Sequence, residues 1–92
     1  RKALSLEPQN VKTMQQLGEV LAMRGSLPEA IELFQKAVDA EANDAQIRVR
    51  FARMLSKAGK IDEARGELEK ARLLDPKDKK IRRELKALTR KP

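Results

Sequence analysis

Apolar residues recur along this chain at steps of three and four positions, the spacing that gathers side chains on one face of an α-helix. Within 11–24 the first stripe comprises Met14, Leu17, Val20 and Leu21. Further stripes run through the stretches 28–41, 45–58, 61–74 and 79–90. Because no stretch alternates apolar and polar residues as a half-buried strand does, the pattern predicts five helices and an all-α fold.

Glycine and proline mark the expected ends of these helices. Gly25 and Gly59 each follow an apolar stripe, in the position where glycine commonly stops a helix. Asp75 precedes Pro76, and a residue before proline is driven out of the α conformation, so another helix is expected to end there.

Polar residues mark the expected helix starts. Ser26 has Glu29 three positions later, the spacing of a capping box, and Pro28 is tolerated because it lies in the first turn. Lys60 stands at the corresponding place in the second half and is a poor cap, whereas Asp78 is suited to cap a last helix. We therefore predict side-chain caps at Ser26 and Asp78.

The whole pattern repeats with a period of 34 residues. In-frame pairs include Leu21 and Leu55, Gly25 and Gly59, Ala30 and Ala64, and Ala37 and Ala71. The frame predicts the end of a truncated preceding repeat, two full repeats and a C-terminal capping helix, which occupy residues 1–10, 11–44, 45–78 and 79–92. Such arrays need a terminal element with a polar outer face.

The residues in this frame resemble the tetratricopeptide signature, W-x2-L-G-x2-Y followed by A-x3-F and P over 34 residues. The first unit supplies Met14, Leu17, Gly18, Leu21, Ala30, Phe34 and Ala37. The second supplies Arg48, Phe51, Ala52, Leu55, Ala64, Leu68, Ala71 and Pro76. Similarity to the tetratricopeptide repeat family implies a right-handed superhelical stack of antiparallel helix pairs, an α-solenoid.

Small residues predict where helices approach closely. Gly18 is expected to face Ala30, and Ala52 to face Ala64, while larger side chains such as Leu17 and Phe51 interlock the pairs. In the last helix the small-residue position holds Lys86, which would obstruct a further packed helix. The first ten residues lack a partner helix, so self-association through this truncated helix is also an expectation.

The resemblance implies a noncatalytic protein-interaction module or scaffold that holds a partner segment in a concave groove lined by the first helix of each unit. Matching the family's groove-facing positions selects Lys12, Gln15, Gln16, Glu19 and Met23 from the first unit. The later helices contribute Gln46, Val49, Arg50, Arg53, Lys57, Lys80, Arg83, Ala87 and Arg90.

Within this set the basic residues suggest a ligand. Arg50, Arg53 and Lys57 are spaced i, i+3 and i+7, so they share one helix face, and Arg83 is expected beside them on the next helix. Because an arginine fork can hold a carboxylate through two bonds, we hypothesise that these residues receive an acidic segment of a partner. The same residues are equally consistent with a solvated helix face.

One known subset of the family clamps the C-terminal carboxylate of heat-shock chaperones with Lys and Asn in one repeat, Asn in the next, and then Lys and Arg. Here Gln15 and Glu19 occupy the first Lys and Asn positions, and Arg50 occupies the next Asn position. If the second unit is taken as the last clamp repeat, Arg50 fits but Gln46 replaces Lys. The chain therefore does not match a complete carboxylate clamp.

The composition excludes much catalytic chemistry. The 92 residues include no His, Cys, Trp or Tyr, so a Ser-His-Asp triad, a cysteine nucleophile and a Cys/His zinc site are all excluded. The segment from Asp75 to Asp78 lacks the ligand spacing of a calcium loop. We therefore expect no enzyme activity and no cofactor.

Charge raises an alternative function. The chain carries a formal charge of +7, and residues 79–92 are its most basic segment, so a basic nucleic-acid-binding helical module competes with the protein-binding interpretation. Against it, Phe34 and Phe51 are the only aromatic residues and have core spacing, whereas single-strand binding usually needs exposed aromatic platforms. No apolar run is long enough to span a membrane, and a cytoplasmic location is favoured, although the sequence identifies neither partner nor compartment.

Overall fold

In the computed structural model, residues 11–89 are described and form five α-helices. These are α1 (Val11–Met23), α2 (Leu27–Ala40), α3 (Ala45–Lys57), α4 (Ile61–Leu74) and α5 (Lys79–Thr89). No strand occurs between residues 11 and 89, which confirms the predicted all-α helical repeat fold. The expected truncated repeat at 1–10 and the last residues of the expected capping segment lie outside the described residues.

Gly25 and Gly59 end α1 and α3 as predicted. Their φ angles are 88° and 83°, in the left-handed region that only glycine adopts without strain. After α1, the Gly25 N–H donates to the Ala22 carbonyl at 3.0 Å and the Ser26 N–H donates to the Leu21 carbonyl at 2.8 Å. These two bonds form a Schellman motif, which satisfies carbonyls at the helix end.

The predicted cap at Ser26 is wrong. The Ser26 side chain makes no capping hydrogen bond, and neither does that of Lys60 at the start of α4. Both residues have nearly the same backbone angles, φ −90° with ψ 60° and φ −90° with ψ 67°. In each case the backbone N–H already donates to the preceding helix, from Ser26 to Leu21 and from Lys60 to Leu55, both at 2.8 Å. The turn therefore fixes the helix start, whichever side chain is present.

Aspartates cap α3 and α5. Asp44 Oδ1 accepts from the backbone N–H of Gln46 at 2.9 Å and of Ile47 at 3.2 Å. Asp78 Oδ1 accepts in the same way from Lys80 at 2.8 Å and Ile81 at 3.4 Å, which confirms its predicted role. These two helices start after longer connections, where a side chain must satisfy the first N–H groups.

We expect Asp44→Ala to lower the free energy of unfolding by about 1 kcal/mol, because two N–H groups of α3 would lose their acceptor. Urea denaturation followed by circular dichroism measures the change. Asp44→Asn is the control, since an asparagine oxygen can accept the same bonds and should recover most of the stability. Equal losses in both variants would contradict the capping role.

The helices pack in chain order. The closest pairs are α1 with α2 and α3 with α4, while α2 with α3 and α4 with α5 join one unit to the next. The molecule is elongated, with principal extents of 46 × 27 × 16 Å. The core is a row of small and large apolar residues along the array, including Ala30, Phe34, Phe51, Leu55, Ala64, Leu68, Ile81 and Leu85.

The predicted close approach at Gly18 is present, and Phe34 provides most of the contact. A Cβ atom placed on Gly18 would lie 2.8 and 2.9 Å from two ring carbons of Phe34 and 3.5 Å from the Ala30 carbonyl oxygen. The expectation that Leu17 interlocks helices as Phe51 does is wrong, since Leu17 is 48% exposed and Phe51 only 3%. Phe51 lies between the two described units, whereas α1 has no unit before it among the described residues.

Arg48 fills an aromatic position of the repeat with an ion pair. Its Nη1 donates to Glu67 Oε1 at 2.8 Å, and its Nε donates to the Ala42 carbonyl at 2.9 Å. The two side chains are only 13% and 15% exposed. This pair joins α3 to α4 and to the preceding turn, and nothing in the sequence pattern indicated it.

Candidate functional site

The first helices of the units, α1, α3 and α5, are linked through their polar side chains. Arg50 Nη1 on α3 donates to Gln15 Oε1 on α1 at 2.9 Å. Arg53 on α3 donates through Nη2 and Nε to Glu84 on α5, at 2.5 and 3.2 Å to the same oxygen. Gln46 Nε2 donates to Asp78 Oδ2, just before α5, at 3.1 Å. The three helices therefore share one polar surface, which we call the groove surface.

Arg53 stands at the centre of this surface. Its hydrogen bond with Glu84 raises the pKa of the guanidinium, desolvation opposes the change, and the charges of Glu84 and Glu19 add to the increase, so that the pKa lies above its ordinary value. Arg53 therefore remains charged and is already held by a carboxylate of its own chain. Its side chain is still half exposed.

Asp78 is held ionised at the edge of the groove surface. Desolvation alone would raise the pKa of its carboxyl, but the Lys80 N–H, the Gln46 amide, the Ile81 N–H and the Lys80 charge together lower it below its ordinary value. The carboxylate thus serves α5 as a cap and α3 as an acceptor at the same time.

This depressed pKa predicts an acid-sensitive contribution. The ionised form is favoured in the folded state, so its stabilisation is complete above the ordinary aspartate pKa and is lost as pH falls through the lower folded value. We expect the stability difference between the wild type and Asp78→Ala to be constant near neutrality and to shrink below about pH 4. Urea midpoints measured across pH test this, and a difference that grows on acidification would contradict it.

The predicted position of Arg83 is wrong. Glu84, not Arg83, contacts Arg53, while Arg83 lines a different cleft, between α4 and α5. The repeat frame explains this, because Glu84 is the in-frame equivalent of Arg50 and Arg83 is the equivalent of Val49. Val49, also expected in the groove, is buried at 4% exposure.

Beside the Arg53–Glu84 pair lies a small cleft between α3 and α5, with a volume of about 290 Å³. Its apolar lining comes from both helices and from α4, with Ala52, Leu68, Ala87 and Leu88. Arg53, Ser56, Lys57 and Glu84 complete the lining. The cleft can therefore receive an apolar side chain next to charged groups.

The other predicted groove residues are distributed along the same three helices. Lys12, Gln16 and Glu19 are exposed on α1, Gln46, Arg50 and Lys57 are exposed on α3, and Lys80 is exposed on α5. The structure brings Gln15, Gln46, Arg50 and Arg53 into the interhelical contacts described above. Arg90 lies outside the described residues.

Sequence reasoning missed Glu84, although a signal was available. In the 34-residue frame Glu84 follows Arg50, so an acid takes the place of a cation on the same face of the next first helix. Because Glu84 lies 31 residues after Arg53, close to one period, the frame places this acid near that cation on the groove surface. The expected cluster of repelling cations is therefore partly neutralised.

Between residues 11 and 89 no group of acidic side chains is arranged to hold a metal ion. None of the helices described has the length and apolar character needed to cross a membrane.

Comparison with known proteins agrees with the repeat frame. A family model described as "Tetratricopeptide repeat" matches residues 21–88. Among solved structures, the MamA R50E mutant (the number is MamA's own) is similar at 26% sequence identity and a TM-score of 0.73. The similarity covers 86% of this chain and 58% of that one, so this chain spans little more than half of that solved relative. No curated protein matches the chain.

Proposed function

The chain belongs to the tetratricopeptide repeat family, and we propose that it is a noncatalytic module that binds an acidic segment of a partner protein along the groove surface. Tetratricopeptide repeats generally mediate protein–protein interaction and typically form noncatalytic scaffolds. The observation that carries the proposal is the apolar cleft between α3 and α5, which lies directly beside exposed cations.

The chemistry of the cleft suggests the composition of the segment. Ala87 and Leu88 offer an apolar wall on α5, and a volume of about 290 Å³ leaves room for a large aliphatic side chain. Lys57 lines the same cleft and forms no ion pair with any described residue. An apolar side chain next to a carboxylate would contact this wall and bring the carboxylate to the Lys57 ammonium.

The Arg53–Glu84 pair changes which of the predicted groove residues can best bind a partner carboxylate. Because Glu84 already holds Arg53, a partner carboxylate would gain less from Arg53 than from cations that lack such a pair. Arg50 donates one N–H group to Gln15, and its other N–H groups can donate to a ligand. We therefore assign the main anion contacts to Lys57 and Arg50, with Lys12 and Lys80 at the margins.

A selection from a displayed library of random 12-residue peptides tests this function. We expect the wild-type chain to enrich peptides in which Asp or Glu adjoins Leu or Ile. The double variant R50E/K57E should lose that enrichment, with binding of a selected peptide weakened at least about tenfold, because attraction becomes repulsion at two contacts.

The control is K36E/K60E, which makes the same charge change at exposed residues of α2 and of the turn before α4. It should bind the selected peptide within about twofold of the wild type, after a small correction for net charge. Helicity measured by circular dichroism should match in all three proteins. Equal weakening by both variants, or enrichment of basic peptides, would refute the groove assignment.

The groove surface does not favour nucleic acid as its ligand. Glu19 and Glu84 place acidic groups beside Arg53, at the centre of the surface. Both aromatic residues of the chain are buried, so no base could stack on an exposed ring.

A further inference from the structure

The cleft at the α4–α5 end of the array is lined mainly by cations. Its volume is about 530 Å³. The basic residues are Arg72, Lys79, Arg82, Arg83 and Lys86, and they are accompanied by Glu69 and Leu85. We call this surface the basic end face. We propose that it binds the phosphate backbone of a nucleic acid duplex, independently of sequence.

Most charges of the basic end face are uncompensated within the described residues. Glu69 is the one acid in the lining, and Arg72 holds it through Nε and Nη2 at 3.2 and 3.0 Å. Lys79, Arg82 and Arg83 form no ion pair with any residue between 11 and 89. An external anion would thus meet free cations here.

Helix α5 presents four of these cations in a row. Lys79, Arg82, Arg83 and Lys86 are spaced i, i+3, i+4 and i+7, so they share one face over about 10.5 Å of helix. Ile81 and Leu85 are buried beneath this row, and Leu85 forms the floor of the cleft, so both anchor α5 to the array. Like charges four residues apart destabilise a helix, and a polyanion would relieve that repulsion.

The spacing of the row favours phosphates over an extended acidic peptide. Side chains on one side of an extended strand are about 6.6 Å apart, so such a peptide could offer only about two carboxylates to the row. A duplex carries about one charge per 1.7 Å of its axis when both strands are counted, so the two backbones that border a groove could together offer several. Arginine forks are also well matched to phosphate oxygens.

An acidic helix could not pack closely against the basic end face. Packed helices need small or apolar residues at their contact, as at Gly18 and Ala52 in the other first helices. The equivalent position in α5 holds the exposed Lys86, and the single apolar lining residue, Leu85, is only 7% exposed. A ligand on this face must therefore contact the charged ends of the long Lys and Arg side chains, and a phosphate backbone is bound in this way.

The uneven distribution of charge along the chain also favours the basic end face as the surface that meets a polyanion. Residues 11–44 contain six acidic and three basic residues, whereas α5 contains five basic residues and one acidic residue. The field of such a molecule would turn the basic end toward a polyanion and the first repeat away from it. Because the aromatic residues are buried, base stacking has no platform, and the duplex rather than the single strand is the expected form.

Fluorescence anisotropy with the full 92-residue chain and a labelled 20-base-pair DNA duplex tests the proposal. We expect the logarithm of the association constant to fall with the logarithm of salt concentration at a slope of about −3 to −4, as expected for about four phosphate contacts. The variant R82Q/R83Q should reduce the slope by about 2 and weaken binding at 50 mM salt by at least about tenfold.

The matched control is K36Q/K60Q, which removes the same charge from exposed residues distant from the row in sequence. It should change duplex binding by less than about twofold. Equal weakening by both variants, or no duplex binding at 50 mM salt, would overturn the proposal. A duplex of RNA as a second arm distinguishes the two nucleic acids, and binding of either one supports the proposal.

Three further probes separate other roles of these cations. The proposal would be overturned if the chain bound a single-stranded oligonucleotide, a polyglutamate peptide or vesicles containing anionic lipid more tightly than it binds the DNA duplex. Light scattering of R82Q/R83Q tests whether the cations only keep copies from stacking end to end. Self-association of that variant with unchanged duplex binding would assign them that role instead.

Discussion

Gly18→Ala is expected to lower the free energy of unfolding by about 1–2 kcal/mol, even though alanine is the better helix former. In a helix interior the exchange alone would stabilise by roughly 0.5–1 kcal/mol. The new Cβ, however, would lie 2.8 and 2.9 Å from two ring carbons of Phe34, whose ring is fully buried. Overpacking of this kind costs about 1–3 kcal/mol, which exceeds the helix gain. Chemical denaturation measures the balance.

The second repeat provides the control for this prediction. There the same two positions hold Ala52 and Leu68, a larger helix residue opposite a smaller core residue. Phe34→Leu alone should destabilise by leaving space, but G18A/F34L should be at least about 1 kcal/mol more stable than the sum of the single changes predicts. Strict additivity would show that Gly18 and Phe34 do not constrain each other.

The extent of sequence-based prediction follows from the kind of contact involved. Gly25, Gly59 and Asp75 set the helix ends through backbone geometry that depends on near neighbours, so the sequence was enough to place them. The 34-residue frame also indicated which helices are adjacent. At Ser26 the same local reasoning failed, because the Schellman turn already fixes the helix start.

Partner choice across repeats was harder to predict. The contacts Gln15–Arg50, Gln46–Asp78 and Arg53–Glu84 join residues 35, 32 and 31 positions apart, close to one period. The period therefore predicts that such contacts exist. It does not choose between neighbours such as Arg83 and Glu84, because each helical residue turns the side chain by about 100° and changes the face it occupies.

Arg48 and Glu67, which lie at the margin of the core, show the same problem. Their in-frame equivalents in the first repeat are Met14 and Leu33, so one repeat fills two positions with apolar side chains and the other with an ion pair. The charged version keeps Arg48 in reach of the Ala42 carbonyl, which ties the turn before α3 to the second repeat. The residue type at either position alone therefore says less about the contact than the pair of residue types at both positions.

Because Arg48 and Glu67 form an ion pair, we expect Glu67→Leu to lower the free energy of unfolding by about 2 kcal/mol. The figure lies between the value of an exposed pair, below about 1 kcal/mol, and that of a fully buried one, about 3–5 kcal/mol, because both side chains are mostly but not wholly covered. The double variant R48M/E67L should recover most of the loss, since an apolar pair leaves no covered charge without a partner. Lys70, which lies 3.9 Å from Glu67, loses its partner in both variants, but its side chain is 61% exposed. Thermal and urea denaturation of the two variants measure this recovery. A double variant less stable than Glu67→Leu would mean that the Arg48 bond to the Ala42 carbonyl, at 2.9 Å, contributes more than the ion pair does.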